Sequence, residues 1–302
     1  MRVVPVPAEL DHRSIDALFE AATEGPGANR EGSERVLLDS HRLRWIDPMG
    51  MIGLLAAGAF LRDRIGARSV LTLPESSEVV GYLGRMGFFE AADELFQVDR
   101  PRPRGAASSD VLLEITPIVE NHDVHGVVER VQERAGVILS KTLGYPASSV
   151  IPFSVMLSEV CQNILEHAGA PGWVAAQSYN WSRRLGRHVL VLAVGDMGRG
   201  FRDSLGSEHA GRYGDRWSDA TALEAAFIHG LTRFPDQGRG QGIQQMRRQV
   251  RRWGGMISVR SGDARIADVP DWLDFPPMER NLPRFPGAQV TLVLPEMLEE
   301  DR

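Results

Sequence analysis

The sequence is nearly devoid of lysine: Lys141 is the only one among 302 residues, and arginine supplies the other basic side chains. This scarcity excludes two familiar nucleotide sites. A P-loop requires Gly-Lys-Ser/Thr, and a eukaryotic-type kinase fold requires a strand lysine on the phosphates. Any phosphate site in this chain must therefore use other groups.

Cysteine is equally scarce, since Cys161 is the only one, and no disulfide can form within the chain. No signal peptide opens the sequence, so we expect a cytoplasmic protein. The longest apolar run, from Met49 to Leu61, is shorter than the roughly 20 residues that a membrane helix needs. The formal net charge of -6 argues against a general nucleic-acid binder. We expect neither a membrane nor a nucleic acid as a partner.

The length of the chain predicts two domains, and its 43% hydrophobic and 25% charged residues are typical of globular proteins. Residues 101–110 combine proline, glycine and serine without periodicity, as a linker does. We place the boundary there, which gives domains at 1–100 and 111–302. In the first domain, strand signals alternate with helix signals, and this alternation predicts an α/β sheet.

A polar row in the second domain is formed by Glu159, Asn163 and His167, which recur at a spacing of four. On a helix this spacing stacks them along one face. A carboxylate, a carboxamide and an imidazole in one line suit a hydrated metal and a phosphate. The alternative is a solvated helix face, and for His167 a structural hydrogen bond is as plausible as a phosphate contact.

Two glycine clusters follow. Asp196, Gly198 and Gly200 come directly after the apolar strand signal at 189–194. An aspartate there can accept from the exocyclic amine of adenine, whereas guanine would present a carbonyl. The glycines allow close ligand approach, unless the segment is only a turn.

The second cluster precedes a predicted helix, whose positive dipole end and exposed amides would form an anion cradle. Its members are Gly238, Arg239, Gly240 and Gly242. Arg239 would add charge to that cradle, or be an ordinary exposed arginine. A flexible loop is the alternative interpretation of the whole cluster.

Taken in this order, the three segments resemble the N, G1 and G2 boxes of the GHKL superfamily of ATPases, which includes gyrase, histidine kinases and MutL. The resemblance covers residues from about 111 to the end. It implies an α/β sandwich with a mixed sheet covered by helices on one face. It also implies bound ATP and Mg²⁺, with Asn163 ligating the metal and Glu159 as the general base. Residues 202–237 would form the ATP lid, the alternative being a surface loop with one helix.

The first domain resembles STAS domains, the anti-sigma-factor antagonist family, over roughly residues 30–98. The match is carried by Leu37-Leu38-Asp39, Ile46-Asp47-Pro48-Met49-Gly50, Leu54-Leu55 and Gly87-Phe88-Phe89. Phospho-switched members carry a hydroxyl residue just before the glycine of the second motif, where this chain has Pro48 and Met49. We expect either a docking surface that no longer switches by phosphorylation or a plain structural turn.

Together the resemblances imply a cytoplasmic Mg²⁺-ATP-binding regulator, similar to the anti-sigma-factor serine kinases of partner-switching systems. Its partners would be STAS or sigma-factor-like proteins, and a homodimer is left open. The alternative is a GHKL ATPase that acts as a conformational switch subunit of a larger stress or defence complex. A nucleotide sensor with little turnover is a third hypothesis, against which Glu159 argues, because a pure binder needs no base.

Overall fold

The computed structural model describes residues 1–24, 35–101, 112–181, 185–232 and 242–298. Within these ranges the chain is a mixture of α and β structure built on two main sheets. Nearly all of the predicted linker, and most of the second glycine cluster, lie outside the described residues.

The N-terminal unit, residues 1–24 and 35–101, contains a four-stranded parallel sheet in the order β1-β3-β5-β6. Its strands are β1 (Arg2–Pro5), β3 (Val36–Asp39), β5 (Ser69–Thr72) and β6 (Phe96–Val98), while β2 (Glu9–Leu10) and β4 (Trp45–Ile46) pair separately. Its helices are α1 (Ile15–Thr23), α2 (Pro48–Ile65), α3 (Ser77–Arg85) and α4 (Phe88–Ala91). Parallel neighbours need crossover connections, and the helices supply them. The predicted α/β alternation of this unit is confirmed.

Helix α2 begins where a turn was expected. The Asp47 side chain caps it by accepting from the Gly50 amide at 2.7 Å, and Pro48 takes the first helical position, where its missing N–H costs nothing. Pro48, Met49 and Gly50 are all buried, and a hydroxyl placed at 48 or 49 would be buried too. In the described structure this segment is the buried, capped start of a helix, which is a structural role, and docking of a partner through it stays a prediction.

The second sheet has seven strands in the order β12-β11-β10-β13-β9-β8-β7. They are β7 (Leu112–Ile118), β8 (Gly172–Asn180), β9 (His188–Asp196), β10 (Met256–Gly262), β11 (Ala264–Asp268), β12 (Met278–Glu279) and β13 (Phe285–Pro295). Each neighbouring pair is antiparallel, so the expected mixed sheet is wrong. For the β8–β9 and β10–β11 pairs the physical reason is that a short hairpin joins the two strands, and a hairpin imposes antiparallel pairing.

Helices cover one face of this sheet, as expected. They are α5 (Asn121–Ala135), α6 (Val150–Asn163), α7 (Gly200–Tyr213), α8 (Asp219–Phe227) and α9 (Gly242–Arg252), with π-helical turns at Gly136–Thr142 and Ile164–Ala168. The predicted lid thus consists largely of α7 and α8, and residues 233–237 lie outside the described part. Gly206 and Gly211 of this segment lie inside α7.

The other face of the sheet is also covered, which the one-face expectation missed. Trp173, Ala175, Ala193 and Phe285 share a hydrophobic core with α1 and α2 of the N-terminal unit. Because side chains of a strand alternate between faces, a strand buried on both faces is apolar throughout, and β9 is buried at nearly every position. No helix in the described ranges is both long and apolar enough to cross a membrane.

Candidate functional site

A cavity of about 480 Å³ lies between the seven-stranded sheet and helices α6, α7 and α9. Its size is that of known small-molecule pockets. Among the predicted site residues it is lined by Glu159, Asn163, Asp196, Gly200 and Gly242. The apolar part of the wall includes Val194, Phe201, Met246, Ile257, Val259 and Val290. The cavity therefore unites residues that the sequence distributes over three separate segments.

Asp196 is the last residue of β9 and is only 7% exposed. Its Oδ1 accepts from the Gly198 amide at 2.8 Å, and the Ala288 amide also donates to the carboxylate. Burial raises the pKa of Asp196 to about 6, and the two amides oppose that rise. The group is therefore mainly ionised at neutral pH, and a buried carboxylate beside an apolar wall can accept one well-placed donor.

Gly198 and Gly200 are required by the packing of the protein itself, while close approach of a ligand, expected at both, stays a prediction. A Cβ on Gly198 would lie 2.2 Å from the Ala168 carbonyl oxygen, at the end of the π turn. Gly200 has φ +69°, and its Cβ would lie 2.5 Å from Ser261 Oγ. Both positions require glycine, because the Asp196 loop packs so closely against its neighbours that no Cβ fits.

Glu159 and Asn163 lie one turn apart at the end of α6, as predicted. Asn163 is partly buried and Glu159 is exposed at the edge of the cavity. After Asn163 the helix continues as the π turn Ile164–Ala168. In a π turn, residues four apart no longer lie on the same face of the helix. The side chain of His167 lies outside the described residues, and its phosphate contact remains a prediction.

The second glycine cluster is described only at its end. Gly238, Arg239 and Gly240 lie outside the described residues, so the cradle stays a prediction there. Gly242 is the first residue of α9 and lines the cavity. A Cβ on Gly242 would lie 2.7 Å from Glu159 Oε2, so this carboxylate adjoins the helix N-terminus. The positive end of α9 thus opens on the cavity, beside the proposed base.

Two residues that sequence reasoning missed as site components hold the Asp196 loop. Ser261 Oγ, on β10, accepts from the Phe201 amide and donates to the Gly287 carbonyl, both at 3.0 Å. The Gly287 amide donates to the Gly198 carbonyl at 2.8 Å. A glycine directly before an apolar run was a visible signal for Gly287, the third residue of β13, whereas Ser261 has no local signal, because its partners come from distant segments.

The close approach at Gly287 predicts a large stability effect. Gly287 has φ +78°, and a Cβ there would lie 1.9 Å from the Asp196 carbonyl oxygen. We expect Gly287→Ala to lower the free energy of unfolding by about 2 kcal/mol or more, since left-handed strain and a backbone clash add. Gly211→Ala is the control, because its Cβ meets nothing within 4 Å inside α7, and we expect no loss there. Urea denaturation measures both, and equal stability of the two variants would contradict the assignment.

The donor set fits a metal only together with a ligand. Among the described residues, no group of three or more His, Cys, Asp and Glu side chains is placed to hold an ion. Mg²⁺ is commonly held by few protein oxygens plus water and phosphates, and the Asn163 amide oxygen meets that requirement.

No family model matches this chain, and no curated protein matches it. The chemistry of the cavity therefore carries the functional inference.

Proposed function

We propose that the cavity binds Mg²⁺-ATP, and that binding and turnover of the nucleotide change which protein this regulator holds. The observation that carries the proposal is the convergence of Asp196, Asn163 and Glu159 on one cavity that the N-terminus of α9 also faces. An adenine nucleotide needs a hydrogen-bond acceptor for the adenine amine, which a carboxylate supplies. It also needs a positive group for the phosphates, which the N-terminus of a helix supplies.

Adenine is the base that suits this cavity. The Asp196 carboxylate accepts the exocyclic amine, and the apolar wall formed by Val194, Ile257 and Val290 covers the faces of the ring. Guanine would place a carbonyl oxygen against the buried carboxylate, so two acceptors would face each other without a proton between them.

The phosphates of the nucleotide would lie near Asn163, Glu159 and the start of α9. Asn163 offers its amide oxygen to Mg²⁺, and the amides in the first turn of α9 offer hydrogen bonds to the phosphate charge. When bound, Mg²⁺ neutralises charge that develops on the phosphates. Glu159, exposed beside Gly242, orients the attacking hydroxyl or water and takes its proton.

We further propose a GHKL domain for residues 111–302 and a STAS-like domain for residues 1–100. The order of the three motifs along the chain, and their meeting at one cavity, support the first assignment. The second rests on the motifs of α2 and its flanking strand. Because Pro48 and Met49 are buried and carry no hydroxyl, neither can accept a phosphoryl group, and the proposed acceptor is a separate protein or water. Incubation with γ-labelled ATP and candidate partners distinguishes a protein kinase from an ATPase. Label on a protein indicates a kinase, and label found only in free phosphate indicates an ATPase.

We expect the protein to bind ATP in the presence of Mg²⁺ and to bind GTP at least about ten-fold more weakly. The reason is that an unpaired buried acceptor costs about 1–3 kcal/mol. Isothermal titration calorimetry with ATP and GTP, each with Mg²⁺ and with a chelator, measures this. Equal affinity for both nucleotides, or no binding of either, would refute the proposal.

A further inference from the structure

The seven-stranded sheet separates the cavity from the N-terminal unit, and strand β10 contacts both sides. Val259 lines the cavity, while the next residue, Arg260, reaches the N-terminal unit. This follows from the alternation of side chains along a strand. A displacement of β10 caused by the N-terminal unit therefore also moves the residues of β10 that line the cavity.

Asp16, in the first turn of α1, is the anchor on the N-terminal side. Its Oδ1 accepts from Arg260 Nε at 2.7 Å, and its Oδ2 accepts from Arg265 Nη2. The side chains of Arg260 and Arg265 are only 3% and 5% exposed. Buried cations depend on their counter-charges, so loss of the Asp16 charge would leave two guanidinium groups poorly compensated, although Glu279 still pairs with Arg265.

Phe19, one turn after Asp16, fixes a second strand to the same helix. Its ring stacks on Phe285 with centroids 3.7 Å apart, and the Arg260 guanidinium lies 4.9 Å from its centroid. Phe285 begins β13, two residues before Gly287. Helix α1 thus holds β10 and the start of β13 together.

From these strands the contacts continue into the site. Ser261, next to Arg260, binds the Phe201 amide at the start of α7 and the carbonyl of Gly287. Gly287 in turn binds Gly198. Beneath the same loop, a Cβ on Gly195 would lie 2.7 Å from Ile52 Cγ2 of α2. The Asp196 loop is therefore held between the cavity and the N-terminal unit.

We propose that Asp16 is a positioning residue for the nucleotide site, through which the N-terminal unit sets nucleotide affinity. By fixing Arg260 and Arg265 it holds the β10–β11 hairpin, and Ser261 transmits that position to α7 and the Asp196 loop. The nucleotide part of this inference rests on the proposed function, whereas the coupling itself does not.

The test is Asp16→Asn, which keeps the shape and removes the charge. We expect Mg²⁺-ATP affinity in calorimetry to fall about ten-fold, within the range usual for coupling between distant sites. In nucleotide-free protein, hydrogen exchange at the Phe201 and Gly287 amides should become faster. Asp63→Asn, on an exposed position of α2, is the control for charge. Leu38→Ala, in the N-terminal core, is the control for lost stability: both controls should leave ATP affinity unchanged, and Leu38→Ala should speed exchange of core amides in general and not of these two in particular.

A folded Asp16→Asn protein with parental ATP affinity and parental exchange at both amides would overturn the proposal. So would Leu38→Ala weakening ATP as much as Asp16→Asn, because the effect would then be one of stability alone. If Asp16→Asn does not fold, Phe19→Leu removes the stacked ring and is measured in the same two ways. If the parent itself binds no ATP, the proposed function fails, and faster exchange in Asp16→Asn still decides the coupling.

Discussion

Asp196→Asn is expected to weaken ATP binding by about 10- to 100-fold while the protein stays folded. In the proposed complex the carboxylate accepts from the adenine amine, and a hydrogen bond to a charged group contributes about 1.5–3 kcal/mol. In the variant the side chain either turns its NH₂ toward the adenine amine or turns it toward the amides of Gly198 and Ala288, and both orientations bring donors together.

The same substitution should not reduce stability at neutral pH. Burial raises the pKa of Asp196 from 3.8 to about 6. The folded state therefore binds the Asp196 proton more tightly than the unfolded state does. Proton binding stabilises the folded protein fully below pH 3.8, and this stabilisation is lost as the pH rises through about 6. At pH 7 the ionised carboxylate therefore carries a burial cost on the order of a few kcal/mol, which a neutral asparagine does not carry. We expect the free energy of unfolding at pH 7 to be equal to or above that of the parent, with a flatter dependence at acid pH.

Calorimetry with Mg²⁺-ATP and urea denaturation between pH 4 and 8 check both expectations. In the parent, ATP affinity should also fall as the pH drops through about 6, because protonation removes the ionised acceptor.

Asp47→Asn is the matched control, since Asp47 is a buried aspartate whose pKa burial also raises, and asparagine caps a helix equally well. Parental ATP affinity in Asp196→Asn would remove Asp196 from the base-binding site.

Glu159→Gln is expected to lower ATP turnover by about 10²- to 10⁴-fold, the usual contribution of a general base, with ATP affinity changed only a few-fold. Glutamine keeps the size of the side chain beside Gly242 but cannot take a proton. Because Glu159 is exposed at the cavity edge, the change leaves no buried group unpaired, and the fold should not be affected.

Single-turnover phosphate release or transfer measures this loss, and calorimetry on the same preparation measures affinity. Glu129→Gln, at an exposed position of α5, is the control and should behave as the parent. Turnover that persists in Glu159→Gln would show that another group acts as the base. Affinity lost together with turnover would instead assign Glu159 to nucleotide binding.

Local sequence patterns determined most element positions. The apolar run at 189–194 predicted β9, which spans His188–Asp196, and the alternation of strand and helix signals predicted the α/β arrangement of the N-terminal unit. The spacing of Glu159 and Asn163 placed both on one helical face, and Asp196 followed its strand into the cavity. These predictions succeeded because periodicity, capping and chain breakers act over a few residues, and the sequence presents them directly.

The tertiary structure alone decided what lies on the two faces of the second sheet and how its strands pair. Burial of Pro48 and Met49, the roles of Ser261 and Gly287, and the anchoring of Arg260 by Asp16 join residues up to 244 positions apart. The π turn after Asn163 likewise ended a spacing that the sequence suggested would continue to His167. Such contacts carry no local signature, because their energy comes from groups that meet only once both units pack on one sheet.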